Sequence, residues 1–126
     1  MNNVVNKLLP TAGKALVTVM AVMFGLAHFM NAEGLASMVP VPGGVLWVYF
    51  TGVCLIAGGV GIFIPKVARL AGLLLGVLIL IFAFGIHAPK LGAEGQAGQV
   101  AMISFLKDLG LAGAAWLAAV VSDLKR

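Results

Sequence analysis

The run "LAGLLLGVLILIFAFGIHAP", residues 70–89, decides the fold of this chain, because it contains no Asp, Glu, Lys or Arg. A helix that crosses the hydrocarbon core of a bilayer needs about 20 predominantly apolar residues, and this run supplies them. Residues 15–32 and 34–65 are also free of these four residue types, and residues 95–122 carry only one adjacent pair of charges. The chain therefore offers four apolar segments that could each span a membrane.

The composition of the whole chain supports lipid as its main solvent. Its residues are 62% hydrophobic and 10% charged, and the mean hydropathy is +1.13. Soluble domains carry about 25% charged residues, so this chain lacks the polar surface to cover a globule in water. We predict one domain, residues 1–126, folded as an all-α integral membrane four-helix bundle, with helices at about 12–30, 45–64, 68–87 and 99–121. The lipid bilayer is its first expected partner.

The basic residues predict the orientation of the bundle. Six of them lie on the cytoplasmic side if the N-terminus is inside, and only Lys90 then lies in an outer loop. The six are Lys7, Lys14, Lys66, Arg69, Lys125 and Arg126. Both termini are therefore expected in the cytoplasm. The first apolar run is short enough to suggest a signal peptide, but Met30 is too large for the −3 position of a cleavage site, so we favour a retained helix.

The same composition excludes other classes of protein and of site. The net charge of +4 comes from basic residues that form no continuous face, so no nucleic-acid partner is expected. The single cysteine, Cys54, lies among apolar residues and is expected to be a buried, inert thiol. No metal site is expected, because the sequence contains neither an HExxH motif nor a Cys/His cluster.

Small residues are expected to form the seams between helices. Membrane helices gain little from burying apolar side chains against one another, so close packing matters more. The segment "GLLLG" places Gly72 and Gly76 on one face of the third helix, while Gly110, Ala114 and Ala118 repeat the spacing on the fourth. We expect both seams to be structural, either within the chain or between subunits.

The uncommon polar residues of the spans fall in the outer half of the predicted bundle. His28 and His87 lie at the outer ends of the first and third helices, and Ser104, Lys107 and Asp108 share one face of the fourth. An ionisable residue at the centre of a span costs about 2.5–3.5 kcal/mol on insertion scales. Lys107 and Asp108 are therefore expected to face the interior and to pair with another helix, for example with His28 or His87. The sequence predicts an outward-facing polar pocket for a small ligand, lined by these five residues.

Less specific interpretations of these polar residues stay open at this point. Both histidines fit an ordinary position at the membrane interface, and Lys107 fits a side chain that snorkels outward, accompanied by Asp108. A haem held by two histidines is a weaker candidate, since the sequence gives no other haem signal.

Three segments carry a resemblance to a known family. They are "FGLAHFMNAEGLASMVP", "VYFTGVCLIAGGVGIFIPKVARLAGLLL" and "FLKDLGLAG", and in order and spacing they resemble the DoxX-like family of small bacterial membrane proteins over residues 14–122. The residues that match the family's elements are Gly25, His28 and Phe29, then Tyr49, Thr51 and Gly52, then Phe105, Lys107, Asp108 and Leu109. One departure is Leu55, where many relatives look acidic, and it argues against a proton relay through that position.

The resemblance implies a four-helix bundle in a bacterial inner membrane and a link to redox chemistry, without establishing catalysis. The family takes its name from a subunit of a thiosulfate:quinone oxidoreductase. Our leading hypothesis is a redox-associated subunit or accessory whose pocket binds a quinone, with the tail between helices and the carbonyl oxygens bonded to Lys107 and a histidine. The alternatives are a non-catalytic scaffold or accessory of a larger membrane complex, a homo-oligomer joined by the glycine seams, and a small-solute transporter. Four helices without an inverted repeat make the last less favoured.

Overall fold

Four long helices make up most of the structure, a computed structural model that describes residues 3–37 and 42–124. The α-helices are α1 (Asn3–Met30), α2 (Ala32–Ala36), α3 (Gly44–Gly61), α4 (Ala68–Phe82) and α5 (Gln96–Leu124). A π-helical turn (Ala83–His87) and a 3-10 turn (Ala88–Lys90) extend α4, and no strand occurs in the described residues. The segments Asn3–Met30, Gly44–Gly61, Ala68–Lys90 and Gln96–Val121 are each long and apolar enough to cross a membrane. The predicted all-α bundle of four membrane-length helices is confirmed.

Several helix ends differ from the predicted positions. α1 begins at Asn3 rather than near residue 12 and continues through Pro10, which is tolerated because the helix loses one backbone hydrogen bond near its own start. α3 ends at Gly61 rather than residue 64. The connection expected to be an outer loop contains the short helix α2, whose Leu35 lies back against the bundle.

The bundle consists of two closely packed antiparallel pairs, α1 with α3 and α4 with α5, which pack less extensively against each other. In the first pair the backbones of Gly25 and Gly52 come so close that a Cβ atom added to Gly25 would lie 2.8 Å from the carbonyl oxygen of Gly52. Further along the same pair, Thr18 Oγ1 donates a hydrogen bond of 2.8 Å to the carbonyl oxygen of Gly59. Small residues and an interhelical hydrogen bond thus provide the contact that membrane helices require.

Gly72 and Gly76 form the α4 side of the second pair. A Cβ atom added to Gly72 would lie 2.7 Å from the Cβ atom of Ala119 and 2.8 Å from the carbonyl oxygen of Ala115. A Cβ atom added to Gly76 would overlap the indole of Trp116, whose Nε1 donates a hydrogen bond of 3.0 Å to the carbonyl oxygen of Leu73. The seam of the third predicted span therefore lies within the chain.

The seam predicted for the fourth span, through Gly110, Ala114 and Ala118, is not the one that meets α4. A Cβ atom added to Gly110 would have nothing within 4 Å. The residues that contact the α4 glycines are Ala112, Ala115, Trp116 and Ala119. Residues 110 and 112 are about 200° apart around a helix of 3.6 residues per turn, so Gly110 lies on nearly the opposite side of α5 from the residues that meet α4.

The outer surface of the bundle is apolar. The exposed fraction is 71% for Leu16, 74% for Leu46, 66% for Ile103 and 68% for Leu117. In contrast, the fully buried positions are mostly alanine and glycine, with few large side chains among them. Large side chains that face outward from a core of small ones indicate contact with a lipid bilayer.

Candidate functional site

A cavity of about 550 Å³ lies between the two helix pairs, at the end of the bundle where α1 and α4 finish and α3 and α5 begin. Ligand pockets in proteins span about 300–1,000 Å³, so the cavity has the size of a ligand site. All five residues that the sequence predicted for the pocket line it: His28, His87, Ser104, Lys107 and Asp108. They come from three different segments of the chain, and the geometry brings them to one space.

The remaining wall of the cavity is largely aromatic and aliphatic. Side chains that the sequence analysis did not assign to the site also line it, namely Phe24, Trp47, Phe50, Thr51 and Phe82, and Leu35 of α2 approaches from the mouth. Thr51 had a detectable signal, because it is one of few hydroxyl-bearing residues in an otherwise apolar helix. The aromatic residues had no such signal in the sequence, because an apolar side chain in an apolar helix looks the same whether or not it faces a cavity.

Asp108 is the buried charge of the site. Its exposed fraction is 5%, and its Oδ2 atom lies 3.4 Å from Nε2 of His87. This approach is within the range of an ion pair but does not have the geometry of a hydrogen bond, and Oδ2 has no hydrogen-bond partner among the described residues. A buried carboxylate oxygen without a donor is unusual, since buried polar groups are normally satisfied. It is a group that a ligand donor could complete.

A local change of helix type positions His87. Regular α-helix ends at Phe82, and the π-helical turn Ala83–His87 follows. A π-turn bonds i to i+5 and so carries an extra residue, which rotates everything after it; such turns occur often at functional sites. Here the turn ends on His87, the side chain that reaches Asp108 of α5.

His28 lines the cavity as expected, but of the two histidines that could meet Asp108 it is not the one that does. Its Nδ1 lies 2.7 Å from the carbonyl oxygen of Phe24, one turn earlier in α1, and its ring stacks on Phe82 with centroids 6.0 Å apart. A carbonyl oxygen only accepts hydrogen bonds, so Nδ1 is the donor, and on the neutral ring Nε2 is left as an acceptor. The partner of Asp108 is His87 instead. Gly25 belongs to the same family element as His28, and α3 occupies the space beside it.

Lys107 and Asp108 point to different partners. Asp108 is directed at His87, whereas Nζ of Lys107 lies 5.4 Å from the ring centroid of Phe24, within cation–π distance. Lys107 itself is exposed, so the expectation that both charges face the interior holds for Asp108 alone. Adjacent residues are 100° apart around a helix, and Lys107 therefore lies on the exposed part of the cavity wall and Asp108 on its buried part.

Asp108→Asn is expected to leave the free energy of unfolding unchanged, or to raise it, by less than about 1 kcal/mol. Asparagine keeps the shape of the side chain and removes a buried charge whose Oδ2 makes no hydrogen bond among the described residues. Unfolding in detergent or in lipid discs measures the change, with Glu94→Asn, an exposed loop carboxylate, as the control. A loss of several kcal/mol would instead assign Asp108 to holding the helices together.

A comparison of the chain with family models, curated proteins and solved structures found no match in any of the three.

Proposed function

We propose that this chain is a multi-pass protein of a bacterial inner membrane, of the DoxX-like type, that acts as a redox-associated subunit or accessory and binds a quinone in the cavity. One observation carries the proposal. Charged and polar side chains from α1, the π-turn and α5 converge on a cavity that is otherwise largely apolar, and one of them is a buried carboxylate whose Oδ2 has no hydrogen-bond partner in the described part of the chain. A largely apolar pocket with a few convergent polar groups is the usual form of a small-molecule site.

The donors and acceptors around the cavity favour a ligand that can both accept and donate hydrogen bonds. The ammonium group of Lys107 only donates, whereas Nε2 of neutral His28 and Oδ2 of ionised Asp108 only accept. A quinone has carbonyl oxygens that suit Lys107. Its reduced form has hydroxyl groups that suit the two acceptors. The set of side chains is thus complementary to both oxidation states, which supports a redox role over the binding of an inert solute.

Purification of the protein from native membranes in mild detergent tests this function. A quinone that co-purifies with the parent protein, identified by its absorbance and mass, supports the proposal. A larger protein recovered in a fixed ratio with no bound quinone would support the scaffold alternative instead.

The orientation of the bundle gives a second prediction. The structure separates the two ends: Lys14 and Phe63 lie together, with Nζ 4.9 Å from the ring centroid, at the end opposite the cavity. That end carries most of the basic residues, so it is expected in the cytoplasm and the cavity is expected to open outward. Reporters fused after Lys66 and at the C-terminus should be active only in the cytoplasm, and a reporter inserted at Gly92 only outside. A C-terminal reporter active outside the cytoplasm would reverse the bundle and remove the outward-facing site.

A further inference from the structure

A second cavity lies beside the site and extends toward the opposite end of the bundle. It is a groove of about 470 Å³ between α3 and α4, and it shares Leu78 and Ile81 with the wall of the site cavity. The two spaces therefore lie next to each other along α4. We call this second space the α3–α4 groove.

The α3–α4 groove has the length and character of a channel for one apolar chain. On α4 its wall repeats every three or four residues from Leu70 through Leu74 to Ile81, which is one face of the helix. From Ala68, where α4 begins, to Ile81 the helix rises about 20 Å at 1.5 Å per residue. The α3 wall contains the small residues Ala57, Gly58 and Gly61, and the lining residues are apolar apart from the thiol of Cys54. Cys54 is thus half-buried in the wall of the groove, rather than fully buried as expected.

The groove opens to the lipid side of the bundle. Leu70 and Leu74 are each 56% exposed, and Ile81 is 59% exposed. The short connection of residues 62–67 holds α3 and α4 next to each other, yet these two helices pack less extensively than either of the close pairs. The groove is therefore open toward the bilayer along the exposed side of α4.

We infer that one molecule occupies both spaces, with a carbonyl-bearing head in the polar cavity and a single long apolar chain along the α3–α4 groove. This inference rests on the proposed function and narrows it to a long-chain isoprenoid quinone that enters sideways from the membrane. The adjacency of the two cavities along α4 and the confinement of the charged side chains to one of them support this occupant. A compact, water-borne solute would use the polar cavity and leave the groove without a role.

The tail gains little hydrophobic free energy on entering the groove, because the bilayer that it leaves is equally apolar. Its contribution is position: the tail fixes the head against Lys107 and Asp108. Comparing ligands of different tail length would mix this effect with their partition into the membrane. A change in the protein avoids the confusion, because partition is then the same for both variants.

The test fills the groove from α3. Ala57→Phe places an aromatic ring in the groove, and Val60→Phe is the matched control, since Val60 is an exposed residue of the same helix that lines neither cavity. Binding of a long-chain isoprenoid quinone and of its tail-free ring analogue is measured on protein in lipid discs by native mass spectrometry. We expect Ala57→Phe to weaken the long-chain quinone about tenfold, as overpacking of a fitted site does, and to leave the ring analogue unchanged, while Val60→Phe changes neither.

Two outcomes separate this inference from the function on which it rests. If Ala57→Phe and Val60→Phe bind the long-chain quinone equally well, the groove holds only bulk lipid and the inference is overturned, although the quinone site stands. If neither the ring analogue nor the long-chain quinone binds the parent protein, the proposed function itself fails.

Discussion

Lys107→Met is expected to weaken binding of the tail-free quinone analogue by about tenfold or more, with little change in the stability of the protein. A hydrogen bond to a charged group contributes about 1.5–3 kcal/mol, and each 1.4 kcal/mol corresponds to a tenfold change in affinity. Methionine keeps most of the apolar stem, and the lysine is exposed, so its removal leaves no cavity. In the protein it gives up its cation–π contact with the ring of Phe24 and its electrostatic attraction to Asp108. Binding in lipid discs and unfolding by denaturant are measured on the same preparation.

Lys90→Met is the matched control for this experiment. Lys90 is an exposed lysine at the same end of the bundle, in the 3-10 turn, and it does not line the cavity. If both variants weakened binding equally, Lys107 would act through the general positive potential of that end and not through contact with the ligand. If Lys107→Met bound the analogue as well as the parent does, Lys107 would be a snorkelling side chain without a role in binding, which is the alternative interpretation given for it in the sequence analysis.

The architecture could be predicted from the sequence because the length of the uncharged apolar runs determines it. Uncharged runs long enough to span a bilayer leave few alternatives to helices, since each backbone polar group must be satisfied within the segment. The positions of helix ends were predicted less well, as α1 and Pro10 illustrate. The position of a helix end depends on single capping and turn contacts, whereas the presence of a membrane span depends on the summed hydropathy of many residues.

The site was accessible from the sequence for a related reason. Polar residues in a span are so costly that their positions alone predict where helices must face one another, and His28, His87, Ser104, Lys107 and Asp108 do line one cavity. Their pairing was not accessible. Whether His28 or His87 meets Asp108 depends on the rotation introduced by the π-turn and on the bond from His28 to Phe24. Neither has a signature in a pattern of apolar and polar residues.

The helix seams explain why a cavity exists at all in a bundle of this size. Glycine and alanine bring α1 against α3 and α4 against α5 at backbone contact. The two pairs pack less extensively against each other, although Gly61 of α3 comes close to Ala71 of α4, and the site cavity lies between the pairs at the other end of the bundle. The close contact of α4 with α5 also sets the distance between His87 and Asp108. The packing of α4 against α5 should therefore affect the geometry of the site.

Gly72→Ala and Gly76→Ala are accordingly expected to destabilise the protein by about 1–3 kcal/mol each. A Cβ atom on Gly72 meets the carbonyl oxygen of Ala115 at 2.8 Å, and backbone cannot move aside as the end of a flexible side chain can. A Cβ atom on Gly76 displaces the indole of Trp116 and breaks its hydrogen bond to the carbonyl oxygen of Leu73. Both changes force α4 and α5 apart, so they should also weaken quinone binding. Unfolding in mild detergent measures the loss.

Gly110→Ala is the control, because an added Cβ atom there has nothing within 4 Å. In a helix interior alanine is favoured over glycine by about 1 kcal/mol, so this substitution should leave stability unchanged or raise it. The same change from glycine to alanine is thus expected to lower stability at Gly72 and Gly76 and to preserve or raise it at Gly110, and this contrast is the most specific part of the prediction. If Gly110→Ala destabilised the protein as much as Gly72→Ala, the seam predicted from the sequence would be a contact with a second subunit. If Gly72→Ala had no effect, α4 and α5 would not be in backbone contact, and the geometry that joins His87 to Asp108 would lose its support.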